Sequence, residues 1–141
     1  MTGKLGWPYP FRAQPWPEIE QSFAELEQWN SAFNCLRAIA ASVQARGAED
    51  ALAGFTAVHG TDLMVRSTPV PLPPYDIVAV RISESIRQVR IGTVLIEHLS
   101  STGRDERVSR PLEEAVPLFW RFMIEKYGIA PYTSRRMGGA T

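Results

Sequence analysis

Three polar residues near the middle of the chain could take part in acid–base or metal chemistry. Asp76 opens one segment rich in β-branched residues, and Glu97 and His98 come late in the next. If these segments pair as a hairpin whose turn is centred between Ile86 and Arg87, Asp76 faces Glu97 across the strands. Neighbouring carboxylates can hold Mg²⁺ through their oxygens. The three side chains are therefore candidate metal ligands, and the simpler alternative is that they face water or a local partner at strand ends.

The order of predicted elements around these carboxylates resembles the core of restriction-endonuclease-type nucleases. A helix precedes three strands and another helix follows them, with Asp76 opening the second strand and Glu97 late in the third. The resemblance implies metal-dependent cleavage of nucleic acid by these two carboxylates. Tyr75 stands where that family usually has proline, and Leu99 stands where it has its catalytic lysine. The resemblance therefore implies a nuclease-like domain that lacks one catalytic group.

A second polar segment combines arginines with hydroxyl side chains. Arg104, Arg107 and Arg110 follow Ser100 to Thr102 and precede the start of a predicted helix. Arginines beside a helix N-terminus can bind phosphate or an acidic partner. Arg104 and Arg107 are thus candidates for contacts with nucleic acid or protein. The alternative is a solvated loop in which the intervening acidic residues pair with the arginines.

The first seventeen residues form an aromatic, proline-rich arm. Proline fixes φ and disfavours helix at the preceding residue, so the arm should be extended. Rigid aromatic side chains lose little entropy on binding, which suits contacts with a protein partner. The alternative is that the arm packs across its own domain. In both cases the contacts come from Trp7, Tyr9, Phe11 and Trp16.

The composition is that of one ordinary globular domain. The chain has 141 residues, of which 45% are hydrophobic, and its fifteen basic residues equal its fifteen acidic ones. This neutrality argues against a dedicated nucleic-acid binder. The single cysteine, Cys35, is predicted to be a buried thiol. No strict cofactor or catalytic motif, membrane span or signal peptide is recognisable, which predicts a cytoplasmic protein without a cofactor.

Apolar spacing predicts one long helix near the start of the chain. Pro17 suits a first helical turn, apolar residues recur every three or four positions from Ile19 to Val43, and Gly47 is a natural stop. A stripe of this length also resembles a coiled-coil seam. Formation of a homo-oligomer is therefore an alternative use of the stripe.

The remaining elements alternate between strands, loops and two shorter helices. A helix is predicted over residues 48–58, a strand over 63–67 and a hairpin over 76–99. A polar loop over residues 100–110 should lead into a last helix from Pro111, which kinks or starts late at Pro117.

These elements predict an α+β fold, with a small antiparallel sheet of three to four strands packed against a long N-terminal helix and a C-terminal helix. Residues 1–17 form the arm, 18–130 a single domain and 131–141 a flexible tail. Because catalytic motifs are absent, we expect a non-enzymatic interaction or regulatory protein that binds another macromolecule, first of all a protein. The alternatives are a metal-dependent nuclease-like domain and a nucleic-acid-binding module.

Overall fold

In the computed structural model the described residues form a five-stranded antiparallel sheet with helices on one face, which confirms the predicted α+β class. The structure describes residues 11–57, 60–71, 76–82, 91–100 and 103–130. The strands lie in chain order across the sheet. They are β1 (Leu52–Ala57), β2 (Asp62–Ser67), β3 (Ile77–Ile82), β4 (Thr93–Ser100) and β5 (Gly103–Pro111).

The sheet has more strands than predicted, because two segments that the sequence assigned to a helix and a loop are strands. Strand β1 replaces the helix predicted over residues 48–58, and its first four residues are all buried. Strand β5 replaces the loop predicted over residues 100–110. Its charged side chains find partners on alternate sides, since Glu106 pairs with α-helical residues and Arg107 pairs with Glu97 of β4. Charged residues are also common on edge strands, where they discourage pairing with other chains.

The prediction of one long helix at the start of the chain is wrong, because this segment forms an antiparallel pair of helices. Helix α1 (Trp16–Glu27) and helix α2 (Asn34–Ala45) are joined by a turn that contains the 3₁₀ segment Ser31–Phe33. The side chain of Asn30 accepts a hydrogen bond from the Ala32 amide (2.9 Å), and such local bonds compete with helix continuation. Helix α2 ends as predicted before Gly47, whose φ is +73°.

The last helix begins late, as the proline in its sequence predicted. A 3₁₀ turn (Leu112–Glu114) leads into helix α3 (Ala115–Phe122), which continues as a π-helical turn (Met123–Tyr127) and ends at Gly128 with φ +72°. Pro117 lies in the first turn of α3, where its missing amide proton removes no helical hydrogen bond.

The helices α2 and α3 run in the same direction across the sheet. Late in both helices, the Trp120 indole nitrogen donates to the Ser42 hydroxyl (3.0 Å). By contrast, α1 and α2 are antiparallel, because Gln44 near the end of α2 donates to Glu20 near the start of α1 (2.8 Å). Helix α2 therefore lies in the middle of the helix layer.

Both faces of the sheet carry buried apolar residues. The main core lies between the helices and the sheet and includes Phe23, Leu36 and Phe119. A second cluster on the opposite face includes Phe55 and Met64. A sheet with apolar residues on both faces needs cover on both faces, and both clusters are buried.

Helix α1 is held against β1 by a close approach to glycine. The Trp16 indole nitrogen donates to the Leu52 carbonyl (2.8 Å), which places the ring over Gly54. A Cβ at Gly54 would lie 2.8 Å from Cη2 and 2.9 Å from Cζ2 of Trp16, and 3.3 Å from Cδ1 of Ile19. Only a residue without a side chain fits this position while the indole keeps its hydrogen bond.

We expect Gly54→Ala to lower the free energy of unfolding by about 1 to 3 kcal/mol, because the new methyl group forces the indole aside. Urea denaturation measures the change. In a Trp16→Phe background the same substitution should cost less, since phenylalanine lacks the two clashing ring atoms. An equal cost in both backgrounds would show that this contact does not exclude alanine.

Candidate functional site

The structure separates the two carboxylates proposed as metal ligands. The β3–β4 register places Glu97 opposite Ala79 and His98 opposite Val78, so the predicted pairing of Asp76 with Glu97 is wrong by three residues. An odd shift exchanges the faces of a strand. Glu97 therefore lies on the face away from the helices, whereas His98 lies on the helix side. The described residues contain no group of three His, Cys, Asp or Glu side chains that could hold a metal ion.

Glu97 belongs to a row of four alternating charges that crosses β2, β3, β4 and β5. Arg81 donates through Nε to Asp62 (2.9 Å) and through Nη1 to Glu97 (3.1 Å). The other oxygen of Glu97 lies 3.2 Å from Nε of Arg107. Asp62 is fully buried and Glu97 is 5% exposed, so the arginines balance two carboxylates that have almost no contact with water. This arrangement is an ionic ladder, which we define as Asp62, Arg81, Glu97 and Arg107.

Asp76 lies in a separate cluster that connects the end of α3 to the sheet. The Tyr127 hydroxyl donates to Oδ1 of Asp76 (2.9 Å), and Arg66 Nη1 lies 3.3 Å from the same oxygen. His98 Nε2 is 4.0 Å from it. Burial and the negative charge of Asp76 raise the pKa of Tyr127 above its ordinary range. The hydroxyl therefore remains a donor to Asp76, and the cluster has a clear structural role.

Two of the four aromatic residues proposed as partner contacts lie inside the protein. Trp16 is 4% exposed in the main core, and Phe11 packs edge to face on Phe55 with ring centroids 4.6 Å apart. Both rings thus contribute to the protein's own packing, the alternative that the sequence left open. Trp7 and Tyr9 lie outside the described residues.

The two arginines proposed as polar contacts lie on the edge strand β5. Arg107 is part of the ionic ladder, and its side chain keeps about a third of its surface open to solvent. The backbone of Arg104 lies in β5 opposite Leu99, and its side chain is outside what the structure describes. The neighbouring Glu106 pairs with Arg121 (3.0 Å) and Lys126 (2.8 Å), which draws it toward the helices.

An apolar groove on the outer surface of the helix layer was not recognised from the sequence. One cavity of about 290 Å³ lies between the N-terminal halves of α2 and α3, and a second of about 490 Å³ lies along α3 and the turn that follows it, with Arg46 at the end of α2 also in its lining. Val116 lines both. We define the α2–α3 groove as these two consecutive cavities.

One stripe of side chains runs the length of the groove. These residues are four positions apart and occupy the same side of α3 and its flanking turns: Leu112, Val116, Trp120 and Ile124. Ile124 is 48% exposed. On the α2 side the first cavity is lined by the small residues Ala32, Cys35 and Ala38. Small residues on one side and larger apolar ones on the other leave room for an additional apolar element.

Cys35 is a floor residue of this groove rather than a reactive thiol. It is buried, as the sequence predicted, and burial raises the pKa of its thiol to about 12. A thiol with such a pKa is almost entirely protonated at neutral pH, and the thiolate is the nucleophilic form. Cys35 therefore contributes apolar surface to the groove.

A large exposed aromatic residue lies close in sequence to residues that line the groove. Trp29, in the turn after α1, is 89% exposed, and it precedes Ser31 and Ala32, which line the first cavity, by two and three positions in the chain. The sequence placed Trp29 in the buried stripe of a continuous helix. Because the helix ends at Glu27, the indole is released to the surface.

The comparisons with known proteins found no match for this chain, whether against protein-family models, curated proteins or solved structures. Among the described residues, no helix is long and apolar enough to cross a membrane.

Replacing the central arginine of the ionic ladder should strongly destabilise the fold. Arg81→Met leaves the fully buried Asp62 without its cation, and the second oxygen of Asp62 has no hydrogen-bond partner among the described residues. We expect a loss of about 3 to 5 kcal/mol in the free energy of unfolding, measured in urea. The matched variant Arg107→Met should cost less than about 1 kcal/mol, since Arg107 is partly exposed and Glu97 keeps Arg81. Equal losses would contradict this ranking.

Because the pKa of Tyr127 is raised, we expect the protein to lose stability at alkaline pH. Because its pKa is raised in the folded state, the native protein keeps a proton that the unfolded chain releases above about pH 10. This group leaves stability unchanged below about pH 9 and lowers it by up to about 1.4 kcal/mol per pH unit above pH 10. The difference in unfolding free energy between wild type and Tyr127→Phe, measured from about pH 8 to 11, should therefore shrink as pH rises. A difference in unfolding free energy that does not change with pH would contradict a raised pKa of Tyr127 in the folded protein.

Proposed function

We propose that this protein is a non-enzymatic interaction protein that binds a helical segment of another protein in the α2–α3 groove. The observation that carries the proposal is the apolar stripe on α3, which lines two consecutive cavities and remains partly open to solvent. Grooves between helices commonly receive the apolar face of an amphipathic helix. A ligand helix with apolar residues every three or four positions would bury its apolar side in the groove, as such a helix does in a protein core.

The size of the groove supports a peptide segment rather than a small metabolite. The stripe extends over thirteen residues of helical structure, from Leu112 to Ile124, and the twelve steps between its ends correspond to about 18 Å at about 1.5 Å per residue. A ligand helix of about three turns has the same length. The exposed Trp29 adds an aromatic side chain of the type enriched in protein interfaces.

The polar clusters support binding over catalysis. Glu97 is neutralised by two arginines, and Asp76 is engaged by Tyr127 and Arg66. The two carboxylates on which the nuclease alternative depends lie on opposite faces of the sheet. Arg107 is likewise committed to Glu97, which weakens the case for a nucleic-acid-binding segment around it.

Selection of helical peptides from a displayed random library against the full chain tests this function. We expect the selected peptides to share apolar residues at three- and four-residue spacing. Ile124→Glu should weaken their binding at least tenfold, because it places a charge in the apolar stripe at a position that is already half exposed.

The control is Ala13→Glu, which introduces the same charge at an exposed residue beside the edge strand β1, and this residue does not line the groove. This variant should bind the peptides as wild type does. Circular dichroism should show that both variants remain folded. Peptides whose binding is insensitive to Ile124→Glu, or a complete failure to select binders, would refute a helix-binding groove.

A further inference from the structure

The α2–α3 groove has opposite unpaired charges at its two ends. Glu113 lines the first cavity beside the start of α3, and Arg46 lines the second cavity at the end of α2. Both side chains are exposed, and neither has an ion-pair partner among the described residues. The other charges that line the second cavity, Arg121 and Glu125, pair with each other (3.1 Å). The groove therefore presents a cation at one end and an anion at the other.

The two helices that form the groove have the same direction. Cys35 and Ala115, near the N-terminal ends of the two helices, line the first cavity, and Arg46 and Ile124, just after their C-terminal ends, line the second. Their dipoles are therefore aligned, and a third helix packed on both gains electrostatically if it runs in the opposite direction.

We infer that the ligand is an amphipathic helix of a partner protein with acidic residues in its first turn and basic residues in its last, bound antiparallel to α2 and α3. This inference rests on the proposed function. In this orientation the acidic first turn meets Arg46 and the basic last turn meets Glu113. The same charge distribution also stabilises the ligand's own helix, because anions favour a helix N-terminus and cations a C-terminus. In the parallel orientation the acidic first turn would meet Glu113 and the basic last turn would meet Arg46. Both contacts would then be between like charges.

Two defined probe peptides test this orientation. Both are helical peptides of roughly 16 residues with one leucine stripe at three- and four-residue spacing. A side-chain staple on the face opposite the leucines stabilises the helix, which is marginal at this length in water. The first has glutamates in its first turn and lysines in its last, and the second has these turns exchanged. Fluorescence anisotropy measures the Kd of each peptide for the wild-type chain and for the double variant Arg46→Glu/Glu113→Arg.

We expect wild type to prefer the acid-first peptide by about fivefold, as two partly exposed ion pairs would produce. The charge-exchanged variant should reverse this preference. The reversal cancels any intrinsic difference in helicity between the peptides. Raising the salt concentration from about 50 to 500 mM should reduce the preference in both proteins.

The outcomes separate the orientation from the groove itself. If both peptides bind, both lose affinity with Ile124→Glu, and their ratio is unchanged by the charge exchange, the groove binds helices but the inferred orientation is wrong. If neither peptide binds, both the orientation and the proposed function fail. If sedimentation shows a dimer that Ile124→Glu dissociates, the occupant is a second copy of this chain, and the inferred partner is wrong.

Discussion

Arg81 is the residue on which the arrangement of the sheet most depends. Its guanidinium joins Asp62 of β2 to Glu97 of β4 across the central strand β3, and Arg107 extends the row to β5. Burying two carboxylates with almost no access to water is costly unless these pairings persist. The ladder therefore favours one register of β3 against β4. That register sends Val78, Val80 and Ile96 to the helix side and Ala79 and Glu97 to the opposite side.

The helix layer follows from this arrangement of apolar residues. The buried side chains of the sheet require cover, and the broken N-terminal helix supplies two elements where a continuous one would supply a single rod. Trp16 attaches α1 to β1 over Gly54, and Trp120 attaches α3 to α2 through Ser42. With α2 and α3 running in the same direction and small residues on α2, the outer surface between them is incompletely filled. The α2–α3 groove is thus a consequence of how the layer covers the sheet.

The polar residues that the sequence offered as functional candidates have mainly structural roles in the described part of the chain. Glu97 and Arg107 belong to the ladder, and Asp76 connects Tyr127 to Arg66. Residue type and spacing could identify these side chains but could not assign their partners, because a register change of three residues exchanges the faces of a strand. Likewise, the α3 stripe could be read from its four-residue spacing, but periodicity alone does not distinguish a side that faces the core from one that faces a groove.

The sequence by itself determined the α+β class, the end of α2 before Gly47, the late start of α3, whose first turn contains Pro117, and the burial of Cys35, because these depend on local backbone preferences and on apolar periodicity. Tertiary structure decided that residues 52–57 and 103–111 form strands, that Trp29 lies at the surface, and which charges pair. Local propensity is weak for short segments, and contacts between distant residues override it. The position of a groove depends on the same distant contacts, since it is formed where two helices that are remote in the chain fail to fill the space between them.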